Sequence, residues 1–248
     1  MQRIGTQLIL SAHDLIGHLS CHHLTALDLQ VAEGALAKPV FWDPLLEVLR
    51  ERGLKHEQGF IDNLKTQGLD ATVIDGIDVN DDSVGATMDA MRSGQQIVVQ
   101  AALRDGRWIG RADVLRRVER SSDLGPWSYE IIDTKLSRET KGGTVLQLSL
   151  YAELLHTMQG IAPEFVHVVV PWSNFEPQTF RVSDFAAFFR KVRRATEEAT
   201  AAGRGDRYPE PTEHCDICRW AEQCDARRRD DDHLCLVANI SMCLGTEI

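Results

Sequence analysis

No apolar run in the 248 residues reaches the roughly eighteen that a membrane-spanning helix needs; residues 165–172 have the length of a buried strand. The first ten residues lack a basic stretch followed by an apolar one, so no secretory leader is legible and a cytoplasmic protein is expected. Internal repeats and low-complexity segments are also lacking. An excess of positive charge is lacking too: the net charge is −10, which weighs against a polyanionic partner. What remains is an ordinary globular composition, 43% hydrophobic and 26% charged, in a chain long enough for one large domain with a small appendage.

The charge is uneven. Residues 41–90 carry eleven Asp and Glu against four Lys and Arg, whereas residues 103–120 carry six Arg against three acids. Further basic clusters stand at Arg190-Lys191-Val192-Arg193-Arg194 and Arg227-Arg228-Arg229. Such stretches can line a basic groove and can equally be solvated faces, so charge decides nothing here. The cysteines are uneven as well. Cys21 stands alone, while Cys215, Cys218, Cys224, Cys235 and Cys243 crowd the end of the chain. In a reducing compartment this favours metal binding over a disulfide framework.

Periodicity predicts a helix over residues 11–29, with Ser11 as N-cap and Asp14 three residues on, and a second from Pro44 to about residue 64. The second is expected to break at Gly53 and to end at Gly68. A short strand at Val73 and Ile74 and a helix over 84–91 follow. Strand-like runs then occupy 97–103, 108–118 and 127–136, the first two joined by the turn Arg104-Asp105-Gly106-Arg107. A helix over 144–158, a strand at 165–171, an edge strand at 177–182 and a long helix capped by Ser183 complete the core. Residues 203–211 link it to the cysteine-rich tail. This order implies an α/β fold with a mixed central sheet flanked by helices.

Two carboxylates interrupt apolar strands: Asp113 in Gly-Arg-Ala-Asp113-Val-Leu and Asp133 in Ile-Ile-Asp133-Thr-Lys135. Buried carboxylates are costly unless paired or bound to a cation. Strand alternation puts Asp133 and Lys135 on one face. If the two strands are neighbours, two carboxylates and an ammonium converge, a hard oxygen site suited to Mg²⁺ or Mn²⁺ beside a group able to orient or deprotonate water. Alone, Asp-x-Lys also describes an ion pair on a solvent-facing strand. His56 on the preceding helix could add an imidazole, and Gln147 and Tyr151 share one face of the following helix.

Taken in order, the helix histidine His56, the Gly-x-x-Asp strand, the Asp-x-Lys strand and Gln147-x-x-x-Tyr151 resemble the RecB-type branch of the PD-(D/E)XK nuclease superfamily. The resemblance implies a metal held by His56, Asp113, Asp133 and the Thr134 carbonyl. It also implies a water served by Lys135, DNA contacts from Gln147 and Tyr151, and a product carrying a 5′-phosphate.

Cys215-x-x-Cys218-x₅-Cys224 supplies three thiolates. Three fourth ligands stay open: the remote Cys21, or His233 or Cys235 in a local zinc site. The pattern of one N-terminal cysteine and a C-terminal triplet resembles RecB-type nucleases with a 4Fe–4S cluster, a group that includes AddB and CRISPR-associated exonucleases. It implies that Cys21, Cys215, Cys218 and Cys224 staple the chain ends together. The expected division is a helical segment 1–40 carrying Cys21, a nuclease core 41–202, a cysteine segment 203–230 and a tail 231–248. Cys235, Cys243 and the apolar residues 234–244 remain unassigned. The tail is either a docking helix or the start of a further region.

Three functions compete. The first is a DNA exonuclease preferring single strands or free ends in repair or recombination, alone or joined to a helicase. The second is a nuclease trimming DNA for CRISPR adaptation. The third is a vestigial iron–sulfur nucleic-acid-binding module, against which the intact set of six site residues argues.

Overall fold

The computed structural model describes residues 1–40, 44–203 and 207–237. Cys243 and most of the apolar stretch 234–244 lie outside them. The elements, in order, are β1 (Gln2–Ile4), β2 (Gln7–Ser11), α1 (Ala12–Ser20), α2 (His22–Ala32), α3 (Pro44–Thr66), β3 (Ala71–Val73), α4 (Asp81–Arg92), β4 (Ile97–Asp105), β5 (Trp108–Val118), β6 (Ser128–Thr134), α5 (Gly142–Gln159), β7 (Phe165–Val169), β8 (Gln178–Arg181), α6 (Val182–Ala201) and α7 (Ala221–Asp230). Short 3₁₀ turns occupy Glu213–Ile217 and Leu234–Leu236.

The β4–β5 hairpin forms because Gly106 takes the left-handed conformation (φ 55°) its tight turn requires. β5 pairs antiparallel with β6, β6 parallel with β7, and β7 antiparallel with β8. β3 adds parallel to β4 on the other side. The sheet is therefore mixed, as the order of elements implies. Helices close both faces. Leu146, Leu148, Leu154 and Leu155 of α5 pack on Val98, Ala101, Leu103, Leu115 and Ile131, with α6 adding Phe189 and Val192. On the opposite face Phe60, Ile61 and Leu64 of α3 cover Ile97, Val99, Val114 and Ile132. Each such fully buried side chain contributes about 1.5–3 kcal/mol. The apolar N-terminal half of α3 leaves Leu45, Leu46, Val48 and Leu49 exposed. Among the described residues no helix is long and apolar enough to cross a membrane.

Several local expectations need correction. Residues 11–29 form two helices, not one, because Cys21 is extended (φ −161°, ψ 113°) and ends α1 as it starts α2. Ser11 and Asp14 do form the expected cap: the Asp14 carboxylate accepts from the Ser11 N–H at 2.8 Å and from its hydroxyl at 3.0 Å. No break occurs at Gly53; α3 runs through it, the cost of a helical glycine (about 1 kcal/mol) being covered by the packed half of the helix. Arg181, not Ser183, stands at the N-cap of α6, whose first residue is Val182. β1 and β2 have no expected counterpart. They are short, and β2 exists through long-range pairing of Leu10 and Ser11 with Trp108 and Ile109.

Candidate active site

Strand β5 makes the site by being shared. One edge pairs with β2 at Trp108 and Ile109 and with β6 from Val114 onward, so the two partners part around residues 110–113. In the same stretch the alternation of side chains slips by one. Ala112 and Leu115 both face α5, while Val114 faces α3. The neighbouring strand slips at the matching place: Val98 and Ala101 face α5 and Val99 faces α3. The register survives, with Val99 opposite Val114 and Ala101 opposite Ala112, which leaves Gln100 and Asp113 facing each other across the irregularity. Gln100 takes φ 55° there. A left-handed residue other than glycine costs about 1–3 kcal/mol and marks a position worth inspecting for function.

Asp113 fills the fork. Its Oδ2 accepts from the Thr134 backbone N–H at 2.7 Å and from the Thr134 hydroxyl at 2.8 Å, where the β5–β6 ladder has ended. Asp133, the preceding residue of β6, is wholly buried. Its Oδ1 accepts from Gln147 Nε2 at 3.1 Å, and Lys135 Nζ stands 2.5 Å from Oδ2. No hydrogen bond of acceptable geometry reaches Oδ2 from the described residues. Burial, and next the charge of Asp113, push the Asp133 carboxyl up to about 7, with Lys135 opposing them. The donors are carboxylate oxygens, and the charge of Asp113 bears on the buried Asp133. That set fits a small divalent cation better than it fits the bare protein.

Helix α5 seals the α5 side. Gln147 Nε2 also donates to the Tyr151 hydroxyl at 3.2 Å, and burial raises the Tyr151 phenol, followed by the charges of Asp133 and Asp113. The Tyr151 ring lies against Gly110: a Cβ there would meet Tyr151 Cε1 at 2.5 Å and Cδ1 at 2.6 Å. Glycine is thus the residue that lets α5 bring Gln147 and Tyr151 down onto the carboxylates, which gives the Gly-x-x-Asp spacing its physical reason. Gly110→Ala should cost about 1–3 kcal/mol in urea unfolding by overpacking. It should also weaken any activity that depends on Gln147 and Tyr151. An unfolding midpoint equal to that of the unaltered protein would contradict the close approach.

On the α3 side the arrangement differs from expectation in detail. His56 Nε2 donates to the Val169 carbonyl at 3.1 Å, and the ring stacks on Phe175 at 6.0 Å. That carbonyl also accepts from the Lys135 N–H at 3.0 Å, so His56 sits at the border of the site. The next residue, Glu57, accepts from Gln100 Nε2 at 2.5 Å. Burial raises its carboxyl, and the charge of Asp113 adds to that, against Gln100, Lys135 and Arg111. Glu57 and Gln100 went unrecognised in the sequence, whereas Gly110 belongs to the Gly-x-x-Asp pattern read there. Gln100 had a usable signal, a polar residue in the apolar run 97–103, the logic that singles out Asp113 and Asp133. Glu57 had none beyond its place beside His56.

Cys21, Cys215, Cys218 and Cys224 line one pocket, together with Leu24, Leu27 and Trp220. Burial raises the Cys224 thiol to about 11, the neighbouring Cys218 adding to it; burial likewise raises Cys218. Among the described residues the buried Trp220 Nε1–H has no partner. His233 and Cys235 are engaged with each other, the imidazole Nδ1 accepting from the Cys235 N–H at 3.2 Å, and neither lines that pocket. Among the described residues no three His, Cys, Asp or Glu side chains are drawn together closely enough to hold a metal ion.

Several arginines of the basic clusters are paired with acids. Arg193 pairs with Glu153 and Glu197, Arg194 with Glu198, and Arg228 and Arg229 with Asp225.

The sequence profile of the PD-(D/E)XK nuclease superfamily matches residues 41–225, which include Asp113, Asp133, Lys135, Gln147 and Tyr151. No curated protein matches the chain. Among solved structures, the crystal structure of SSO0001 is similar over 90% of this chain and 89% of its own, at 13% identity and a TM-score of 0.40. With three quarters of the residues inside the matched profile and the carboxylate–lysine site within it, the chain belongs to the PD-(D/E)XK nuclease superfamily, whose members are typically metal-dependent nucleases.

Proposed function

We propose that this protein is a divalent-metal-dependent deoxyribonuclease, an exonuclease preferring single-stranded DNA or free ends, working in repair or recombination. The observation that carries the nuclease chemistry is the juxtaposition of Asp113, Asp133 and Lys135 at the fork of β5, with the Lys135 ammonium 2.5 Å from the buried Asp133 carboxylate. Asp113, Asp133 and the Thr134 carbonyl would hold Mg²⁺ or Mn²⁺. His56 would join them through Nδ1, since a metal-binding imidazole commonly donates its other N–H to a carbonyl, as Nε2 does to Val169. The ion supplies Lewis acidity at the phosphodiester and lowers the pKa of the attacking water.

The residues of the chain do the rest. Lys135 orients the water and takes up its proton or balances the charge that develops. Gln147 fixes the Asp133 carboxylate and, with Tyr151, meets the DNA. Water oxygen bonds to phosphorus, the bond to the 3′-oxygen breaks, and that oxygen leaves protonated, giving a 5′-phosphate and a 3′-hydroxyl.

For the cysteines we favour a 4Fe–4S cluster on Cys21, Cys215, Cys218 and Cys224 over a zinc ion held by the triplet with His233 or Cys235. Cys21 shares the pocket of the triplet, and the unpartnered Trp220 N–H suits a cluster sulfide. Such a cluster would tie the N-terminal helices to the tail. Association with a helicase domain or subunit belongs to the same reading.

Single- and double-stranded DNA labelled at the 5′ or the 3′ end tests the function. Shortening is expected with Mg²⁺ or Mn²⁺ and not with EDTA, faster on single strands. Intact DNA with both metals would refute the nuclease; faster loss of duplex would refute the strand preference alone.

A further inference from the structure

Among the described residues β3 pairs with β4 alone, the Ile97 N–H donating to the Asp70 carbonyl and the Ile74 N–H to that of Val99. Such pairing uses alternate residues, so the N–H and C=O groups of Ala71 and Val73 point outward, away from β4. Protected edges carry charge or proline on the strand itself, and Ala71-Thr72-Val73 carries neither. A groove opens on each side of this edge, and both grooves include residues 73–77. The groove toward α4, about 680 Å³, is lined by Asp75, Asp78, Asp82 and Asp89. The groove toward α3, about 590 Å³, is lined by Leu54, Ile61, Val73 and Ile77, with mixed charges from Lys55, Glu57 and Arg111. Leu54, Val73 and Ile77 are exposed. Both volumes lie within the roughly 300–1,000 Å³ of ligand sites. Residues 66–91 hold six aspartates and no lysine or arginine, and among the described residues only Asp81 of the six is in a salt bridge, with Arg104.

We infer that the β3 edge docks an extended segment of a partner protein as a further strand, one with lysine or arginine at alternate positions and apolar residues between them. The main chain of the segment pairs with Ala71 and Val73, the mode by which open sheet edges take peptides. Successive side chains of an added strand point to opposite faces, so one set enters the aspartate groove and the other the apolar groove. The two grooves therefore select alternation, and not positive charge alone. The same aspartates decide against nucleic acid, whose phosphates they repel. They also decide against a second copy of this chain paired edge to edge, which would bring two sets of like charge together. The inference does not depend on the metal centre.

Fluorescence anisotropy of a labelled short peptide alternating lysine and valine, titrated with the full chain at low salt, tests this. Saturable binding is expected, weakening as salt rises. A peptide of the same composition with its lysines contiguous should bind roughly 10-fold more weakly, and one with glutamate for lysine should not bind. Val73→Pro removes an outward N–H and leaves the pairing with β4 in place, since proline is tolerated where the N–H of an edge strand faces solvent. It should weaken binding roughly 10-fold, the worth of a main-chain hydrogen bond. Asp75→Asn combined with Asp89→Asn, both exposed, should weaken it several-fold. In the unaltered protein, hydrogen exchange at the Val73 amide should slow when the peptide is added. Absence of saturable binding, equal binding of the contiguous-lysine peptide, undiminished binding by either variant, or an unslowed Val73 amide overturns the inference. So does a single-stranded oligonucleotide that displaces the peptide, or a dimer of the unaltered chain that Val73→Pro dissolves.

Discussion

Asp133→Asn is expected to end metal-dependent cleavage and, in the same molecule, to raise the unfolding temperature of the metal-free protein at pH 8. The two effects have one cause. Asp133 is wholly buried, and its carboxyl is raised to about 7 by burial and by Asp113. A carboxyl whose folded pKa exceeds its unfolded value favours folding fully below about pH 4 and loses that contribution as pH rises through about 7. At pH 8 the folded chain therefore carries the whole cost of the buried charge, on the order of 1–4 kcal/mol. The neutral amide removes it and can still accept from Gln147. In a domain of this size each kcal/mol is worth about 2–4 °C. The gain should shrink as pH is lowered toward 4 and should vanish or reverse with saturating Mg²⁺, which stabilises the unaltered site alone.

Lys135→Ala provides the contrast. Its loss should cost about 10²–10⁴ in rate, the range for a positioned proton-transfer or charge-stabilising group. It should also lower metal-free stability, because the ammonium 2.5 Å from Asp133 no longer offsets the buried charge. Asp113→Ala should abolish cleavage while the fold persists. Melting by circular dichroism across pH 4–8, with and without Mg²⁺, and digestion of labelled DNA measure all of this. Cleavage by Asp133→Asn at the rate of the unaltered protein would remove Asp133 from the mechanism.

The second large effect concerns the cysteine pocket. Protein purified without oxygen is expected to be brown, to absorb near 400 nm and to contain about four irons per chain. Serine at Cys21, Cys215, Cys218 or Cys224 should discharge the iron; serine at Cys235 should not. The cross-link from residue 21 to residue 215 closes a loop longer than those for which loop-closure entropy gives about 4.7 kcal/mol, so losing it should destabilise the N-terminal helices and the tail by a comparable amount. Proteolysis should then release the tail while residues of the sheet stay protected. The comparison of Cys21 with Cys235 is decisive. Zinc instead of iron, lost on changing Cys235 or His233 and kept on changing Cys21, would favour the local site. Burial is the main cause of the raised Cys218 and Cys224 thiols, and it favours neither ion over the other.

Local patterning was enough for the strands β4, β5 and β6, the turn at Gly106 and the helix α5, since alternation, a tight-turn glycine and helical spacing are written in neighbouring residues. The same arithmetic put Asp133 and Lys135 on one face and Gln147 beside Tyr151. What it missed was long-range. β2 is a strand because of Trp108 and Ile109; Cys21 breaks a helix as the chain turns to meet a tail nearly two hundred residues later. Arg194 and Arg229 of the basic clusters are paired within their own helices, which a count of charges cannot show.

The carboxylates, lysine, amide and phenol of the site, and the order in which the chain supplies them, were thus properties of the sequence, because side-chain chemistry and short-range periodicity need no fold to be read. That Asp113 sits in a fork between two partners of one strand, that Gln100 opposite it is left-handed, and that the Gln100 amide meets Glu57 of α3 belong to the tertiary structure. The slip in alternation responsible for them is cooperative between β4 and β5. Neither strand alone carries it, since the cost of a left-handed residue is met only when the paired strand yields at the same register.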